Sequence, residues 1–388
     1  MNKMHIAFLT PEYPHNKIKH SAGLGTSIGN LSKSMVRQDH KVFVFVYGQD
    51  EDGFFEEDGL VFYLIADKPY KIGKWYFYRK YIEAKVNVIV KEQGIDILEV
   101  PDWTGISAFM KFSIPVVMRF HGSDTYFCHL EKRKQKWKNR WFEQLAVNGA
   151  QAFIAPTQFA GDVSKQLFNI QNKEIATIHH GLELKNFQNA SPAEFENGLI
   201  LYIGTLIRKK GVLELPVIFK LVKQQFSDAR MVLIGSDAPD ISTGSSSTWD
   251  LFKQQLDPIY LKDVSYLGQM PYDQVQQAIR KAHVCVFPTF AETLGMVTIE
   301  SMALQKPVVN SNIGWAQELM EDKKSGFLVD PKNHEVFSDK IVMLLKDENL
   351  CFSIGNKARE LVEERFNIEK LIPKNIDFYR RIINQSKA

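Results

Sequence analysis

HVCVFPTFAETLGMVTIESMALQKPVVNS, from His283 to Ser311, holds two short apolar runs separated by a loop and a segment of helical period. HVCVFP and KPVVNS are continuous rather than alternating, as expected of strands covered on both faces. Between them MVTIESMALQ is a good helix former, with Met296, Ile299, Met302 and Ala303 on one side, and Gly295 marks its start. Strand, helix, strand at this spacing means parallel neighbours joined by a crossover.

The same alternation runs through nearly the whole chain. HIAFLT, KVFVFVY, DILEV, IPVVMRF, AFIAP and IATIHH read as strands in the first half, and GLILYIGT, RMVLIGS and VSYLGQ join HVCVFP and KPVVNS in the second. The segments between them are long enough for crossover helices, so the fold class is α/β with doubly wound parallel sheets. The pattern stops at NFQNASPAEFENG, Asn186 to Gly198, a polar stretch with Pro192 and no apolar period. A boundary near residue 190 gives two Rossmann-like domains, 1–190 and 191–366. The last segment, RELVEERFNIEKLIPKNIDFYRRIINQ, has helical period interrupted near Pro373, and a terminal helix over about 367–388 is expected to return to the first domain.

A chain of 388 residues exceeds what one hydrophobic core usually holds, which agrees with two domains. Its formal net charge of +3 does not argue for a nucleic-acid partner. Cys128, Cys285 and Cys351 are odd in number and form no CxxC pair, which fits a reducing compartment and argues against a disulfide scaffold or a zinc site. MNKMHIAFLTPEY has too short an apolar stretch for a signal peptide, and no run approaches the length of a membrane span. The expectation is a cytoplasmic protein, with room for peripheral contact with a membrane. EDGFFEEDG, Glu51 to Gly59, reads as a turn-rich acidic connection, and the Ser-rich PDISTGSSSTWD, Pro239 to Asp250, as either a mobile lid or an ordinary surface loop.

Three stretches could carry chemistry. In SAGLGTSIGN the glycines Gly23, Gly25 and Gly29 do not follow their strand directly, because Pro11 to Lys19 intervene, so the dinucleotide fingerprint is not met. What remains is a glycine loop opening a helix, suited either to an anion or simply to the turn. YIGTLIRKKGVLEL, Tyr202 to Leu215, sets Arg208, Lys209 and Lys210 between a strand end and a helix start, where charge and dipole both favour a diphosphate; a solvated basic turn is the alternative. In the opening stretch Glu292 lies in the loop after the strand and Glu300 about one turn into the helix. Glu300 has such apolar neighbours that its carboxylate needs buried partners, and sugar hydroxyls would suit it.

With these residues in view, E-x7-E at Glu292 and Glu300 resembles the donor-site signature of the retaining nucleotide-sugar glycosyltransferases of family 4. The resemblance extends in order to FLTPEYP and AGLGT, PDWTG at Pro101 to Gly105, RFHGSD at Arg119 to Asp124, HHGLELKNF at His179 to Phe187, Lys210-Gly211, and SGFLVDP at Ser325 to Pro331. It implies the B-type glycosyltransferase fold, two Rossmann-like domains facing across a cleft, the first binding acceptor and the second donor. It implies that Lys210 and Arg208 hold the donor diphosphate, that Glu292 binds the transferred sugar, and that Glu300 binds the ribose. Thr205, Gly295, Met296 and Val297 would complete the donor side, Gly23 and Gly25 would meet the diphosphate, and His121 would face the reacting centre from the acceptor side. Thr205 stands where the family often has Arg, Ala22 where a first Gly is common, and His180 where Asn is frequent.

The activity implied is retaining transfer of a hexose-type sugar from a UDP- or GDP-linked donor to a saccharide or lipid-linked acceptor, in bacterial cell-surface polysaccharide or glycolipid synthesis. Front-face substitution is the mechanism expected. A nucleotide-sugar epimerase or phosphorylase on the same fold, and a non-catalytic sugar-nucleotide sensor, are the alternatives. No cofactor or metal is expected: Asp50-Glu51-Asp52 matches a metal-binding DxD but has no diphosphate-binding feature beside it. Finally, EKRKQKWKNRWFEQL, Glu131 to Leu145, reads either as a basic amphipathic helix lying on an anionic bilayer or as a helix whose Trp stripe packs on its own domain. WYFYRKYIEAK, Trp75 to Lys85, carries the same two readings.

Overall fold

The computed structural model describes residues 3–387. The chain forms two compact units, Met1–Glu183 with Asn367–Ala388, and Leu184–Phe366. In the first unit eight strands, β1 (His5–Thr10), β2 (Lys41–Gln49), β3 (Gly53–Glu57), β4 (Leu60–Ala66), β5 (Ile97–Pro101), β6 (Val116–Arg119), β7 (Ala152–Ala155) and β8 (Ile175–Thr177), form one sheet in the order β3-β4-β2-β1-β5-β6-β7-β8. Every pairing is parallel except β3 with β4. The helices are α1 (Gly23–Arg37), α2 (Lys74–Gln93), α3 (Asp124–Leu130), α4 (Trp137–Gly149) and α5 (Gln158–Phe168).

Both faces of this sheet are covered, which is why its strands read as continuous apolar runs. Ile6 and Phe8 of β1 pack with Ile28 and Met35 of α1 on one face, while Ala7 and Leu9 pack with Ile82 and Val86 of α2 on the other. The terminal helix α12 (Ile368–Lys387) belongs to the α1 face, with Ile372, Ile376 and Tyr379 in that core. It runs through Pro373 without a break. The proline removes one ladder bond, but the buried apolar stripe on either side of it holds the helix together.

The second unit comprises β9 (Leu199–Ile203), α6 (Leu215–Gln225), β10 (Arg230–Ile234), α7 (Thr248–Gln255), β11 (Val264–Tyr266), α8 (Tyr272–Lys281), β12 (Val284–Phe287), α9 (Met296–Ala303), β13 (Val308–Ser311), β14 (Phe327–Val329), α10 (His334–Lys346) and α11 (Glu348–Arg365). Its six strands are all parallel in the order β11-β10-β9-β12-β13-β14. This is the Rossmann order, which reverses between β9 and β12; in the first unit the reversal falls between β1 and β5.

The structure departs from the sequence reading at five places, the first being the apolar run Leu60–Ala66, which was not read as a strand and is β4. EDGFFEEDG is not a plain connection: Gly53–Glu57 pairs antiparallel with LVFYLIA, adding an edge hairpin that alternation at a half-exposed edge had hidden. FLV within SGFLVDP is strand β14. The terminal segment is two helices divided at Phe366–Asn367. The basic segment Glu131–Leu145 is not one helix: α3 ends at Leu130, the chain is non-helical through Arg133–Lys136, and α4 begins at Trp137.

A buried polar network holds α12 to the sheet. Arg119, at the end of β6, donates from Nε and Nη2 to the two carboxylate oxygens of Glu99 at 2.7 and 2.8 Å, and from Nη2 to Asn375 Oδ1 at 2.7 Å. The Tyr379 hydroxyl also donates to Glu99. Both partners of the ion pair are almost fully enclosed. Breaking such a pair strands a buried charge, so Arg119→Ala is expected to cost about 3–5 kcal/mol in chemical denaturation, and Tyr379→Phe about 1.5–3 kcal/mol.

Candidate active site

In the second unit, the loops after β9 and β12 leave the sheet where strand order reverses, and they are stitched together. Phe290 and Ala291 donate their N–H groups to the Lys209 carbonyl at 2.8 and 3.3 Å, and the Thr289 hydroxyl reaches the Lys210 carbonyl at 3.4 Å. Gly211 has φ +70°, and a Cβ there would lie 1.8 Å from the Pro288 carbonyl oxygen, so only glycine allows the basic loop to come this close. Arg208–Lys210 form a 3₁₀ turn, and a second one, Val212–Glu214, precedes α6, so Gly211 does not itself open the helix.

This close packing brings Lys210 and Glu292 into a direct ion pair, both side chains mostly enclosed. Burial and then the neighbouring Lys209 pull the Lys210 ammonium down to about 7, while the carboxylate against it favours the charged form. Gly295, at φ +93°, is the N-cap of α9 and supplies no side-chain cap to the helix start between Glu292 and Glu300. Glu300 is buried and accepts the Tyr272 hydroxyl at 2.8 Å; burial raises its carboxyl to about 7 against that bond. Arg208 is held by Asp240, Nε and Nη2 donating to its two oxygens at 2.9 and 2.7 Å. Asp240 also accepts from the Thr243 N–H and hydroxyl at 3.0 and 2.7 Å, which fastens the Ser-rich loop to the basic one.

In the first unit, β1 and β5 end at the other reversal. Asp102, just past β5, accepts the N–H groups of His121 and Gly122 at 2.8 and 3.2 Å and so shapes the loop after β6. Burial, with the Glu143 charge adding to it, pushes the Asp102 carboxyl up to about 7, the two N–H donors pulling the other way. His121 stacks on His180 with ring centroids 5.2 Å apart and 9° between planes, and Ser27 of α1 hydrogen-bonds His180 Nδ1 at 2.9 Å. Burial, and then the Arg119 charge, push His121 down to about 3, and His180 is likewise held well below the usual imidazole range. Glu12 Oε1 accepts the Gly25 N–H at 2.7 Å, placing a carboxylate of the chain itself at the α1 N-terminus. A Cβ on Gly25 would meet the Glu12–Tyr13 backbone at 3.0 Å, so packing explains that glycine; a Cβ on Gly23 would meet nothing within 4 Å.

Two family models match end to end. "Glycosyltransferase Family 4" covers residues 21–186 and "Glycosyl transferases group 1" covers 185–361. The chain belongs to glycosyltransferase family 4. Among the curated relatives of this glycosyltransferase, the capsular polysaccharide biosynthesis glycosyltransferase CapM of Staphylococcus aureus is 26% identical over 57% of this chain and 53% of its own. Among solved structures, sucrose-phosphate synthase from Thermosynechococcus elongatus superposes with a TM-score of 0.82 at 18% identity, covering 99% of this chain and 100% of that one. Anabaena HepE in complex with UDP-glucose gives 0.73 at 19% identity over 96% and 99%. These likenesses show the two-Rossmann B-type fold.

The glycosyltransferase thus brings Arg208, Lys210, Glu292, Gly295, Met296 and Glu300 to one edge of the second unit's sheet, with Thr205 at the end of β9 and Val297 in the first turn of α9. His121, Gly23 and Gly25 lie at the corresponding edge of the first. Asp102, His180, Ser27, Tyr272 and Asp240 received no role from sequence. Asp102 had a usable signal, an acid directly after a strand at a reversal. Asp240 had none, since its partner is 32 residues away in the chain. Among the described residues no three His, Cys, Asp or Glu side chains gather as for a metal. Asp52 of the DxD is engaged by the Ala66 N–H at 2.9 Å, the Tyr81 hydroxyl at 2.5 Å and Lys85, and Asp50 by Lys19.

A neutral His121–His180 pair has a direct signature. Its ring resonances in NMR spectra are expected to stay fixed between about pH 8 and pH 5, where an unperturbed imidazole titrates. The unfolded chain binds protons at these histidines below about pH 6.5. The stability they contribute above that pH is therefore lost as pH falls towards about 3.

Proposed function

We propose that this enzyme transfers a hexose from a nucleoside-diphosphate sugar, uridine-linked in the first instance, to a saccharide or lipid-linked glycan, with retention at the anomeric carbon and without a metal. The observation that carries the donor assignment is the Lys210–Glu292 pair at the β9–β12 reversal, one helix turn from the buried Glu300. A cation and a carboxylate that hold each other there can exchange partners, the ammonium to a diphosphate and the carboxylate to sugar hydroxyls. The uridine preference is supported by the HepE structure with UDP-glucose, and the glycan acceptor by the capsular polysaccharide enzyme among the relatives. A nucleotide-sugar donor would suit a cytoplasmic reaction.

In the front-face course the acceptor oxygen bonds to the anomeric carbon on the face from which the diphosphate departs. The electron pair of the breaking C–O bond leaves with the diphosphate, and a diphosphate oxygen takes the acceptor's proton. Lys210 and the Asp240-held Arg208 neutralise the charge that develops on that leaving group. Glu292 and the N–H groups of Gly295, Met296 and Val297 orient sugar and phosphate, Thr205 lines the strand end, and Glu300 accepts from the ribose. His121 is neutral at working pH and so serves as a hydrogen-bond partner on the acceptor side rather than as a proton source. Gly23 leaves open space at the first residue of α1, where the diphosphate would have to share the helix start with the Glu12 carboxylate that already takes the Gly25 N–H.

Thermal stabilisation by UDP and by GDP, followed by a transfer assay with the stabilising sugar, tests the donor; no stabilisation by either nucleotide overturns the assignment. Lys210→Ala and Glu292→Ala are each expected to lower kcat/KM about 100- to 1000-fold. Because burial raises the Glu300 carboxyl to about 7, the donor KM should rise as pH falls below about 7, and that low-pH rise should be lost in Glu300→Gln. Loss of the donor sugar's anomeric configuration in the product, read by NMR, would refute retention.

A further inference from the structure

Two segments that are far apart in sequence meet on the surface of the first unit. A ladder of rings runs from Phe77 through Tyr76 to Trp75 at the start of α2, then crosses to Trp141 and Trp137 of α4. Its centroid spacings are 5.5, 5.9, 6.0 and 6.4 Å. The inner rings Trp75, Tyr76 and Trp141 rest on Phe109 and Phe142 at the fringe of the core and keep their outer sides exposed, while the buried positions of α4 are Glu143, Ala146 and Val147 and those of α2 begin at Arg79. Trp137 is 70% exposed, and Ile72, in the turn before α2, is 85% exposed. A contiguous exposed aromatic surface of this kind has a use.

Charge says what it meets. Lys71, Lys132, Lys134, Lys136 and Lys138 are exposed around the rings, and none of them enters an ion pair among the described residues. The nearby acids are already taken, Asp67 by Lys74, and Glu131 and Asp124 by Arg133. The short non-helical run Arg133–Lys136 carries two of these lysines, Lys134 and Lys136, just ahead of Trp137. Exposed indole rings, with the exposed Ile72 just before α2 and unpaired lysines on both segments, match an anionic lipid surface, rings at the headgroup level and ammonium groups on phosphates.

We infer that this face of the first unit docks the enzyme on an anionic membrane surface. The docking has a consequence for the site. Arg79 of α2 donates to the Thr104 and Gly105 carbonyls at 3.4 and 3.2 Å, and the Gly105 N–H bonds the carbonyl of Asp102, whose carboxylate holds the His121 loop. The docking face is therefore fixed to the strand-end edge that carries His121, so a bound enzyme presents that edge at a set height to a lipid-linked acceptor. The surface itself stands independently of the donor assignment.

The test is co-sedimentation of the full chain with phosphatidylcholine vesicles with and without roughly 30 mol% phosphatidylglycerol, at low and at physiological salt. Binding is expected only to the anionic vesicles, weakening with salt. Lys132→Glu, Lys134→Glu and Lys136→Glu together should weaken partitioning on the order of 100-fold. Trp137→Ser and Ile72→Ser, at positions too exposed to affect folding, should also reduce it, while donor-induced thermal stabilisation stays unchanged. No binding of the wild-type chain to anionic vesicles at low salt overturns the inference. So does binding that is indifferent to Trp137→Ser and Ile72→Ser, or retention on an anionic polysaccharide resin without vesicle binding, which would assign the face to a glycan instead.

Discussion

A parallel sheet whose strand order reverses must send its two central chains away to opposite faces, and nothing then covers the carboxyl ends of those strands. That constraint organises both units of this enzyme. At β9 and β12 it leaves room for two loops to lean on each other, and the Pro288 carbonyl set against Gly211 settles how closely they do so. Lys210 and Glu292 meet because of that contact. At β1 and β5 it leaves room for Asp102 to collect the backbone of the His121 loop.

Beneath the first reversal lies the Arg119–Glu99 pair with Asn375 and Tyr379. It attaches a helix from the far end of the chain to the strands that carry the His121 loop, and its charge helps keep the two stacked imidazoles neutral. Fold and chemistry are joined there through one guanidinium. A buried ion pair of this kind is weak evidence for added stability, but removal of one partner is costly, and that asymmetry holds the terminal helix in a single place.

The parallel sheets were legible because burial on both faces turns strands into unbroken apolar runs, as in HIAFLT, KVFVFVY and HVCVFP. The same rule hid β3, whose residues at a half-exposed edge read as an acidic turn, and it gave no hint that the helical pattern after Lys132 starts afresh at Trp137. Pro373 was over-read for a related reason: local propensity counts the lost bond, whereas the helix is held by Ile372, Ile376 and Tyr379 packed on the sheet. The E-x7-E spacing and the basic loop were visible because loop and helix register are local properties.

By itself the sequence determined the two-sheet α/β architecture, the cationic loop at Arg208–Lys210, and the placing of Glu292 before and Glu300 within one helix, since each depends on periodicity or on neighbours along the chain. Only the tertiary structure decided that Lys210 answers Glu292, that Asp240 holds Arg208, that His121 and His180 stack as neutral rings, and that Trp75 and Trp137 share one exposed face. Those pairings join residues tens of positions apart. They are set by how closely packed loops and helices can approach, which no local pattern encodes.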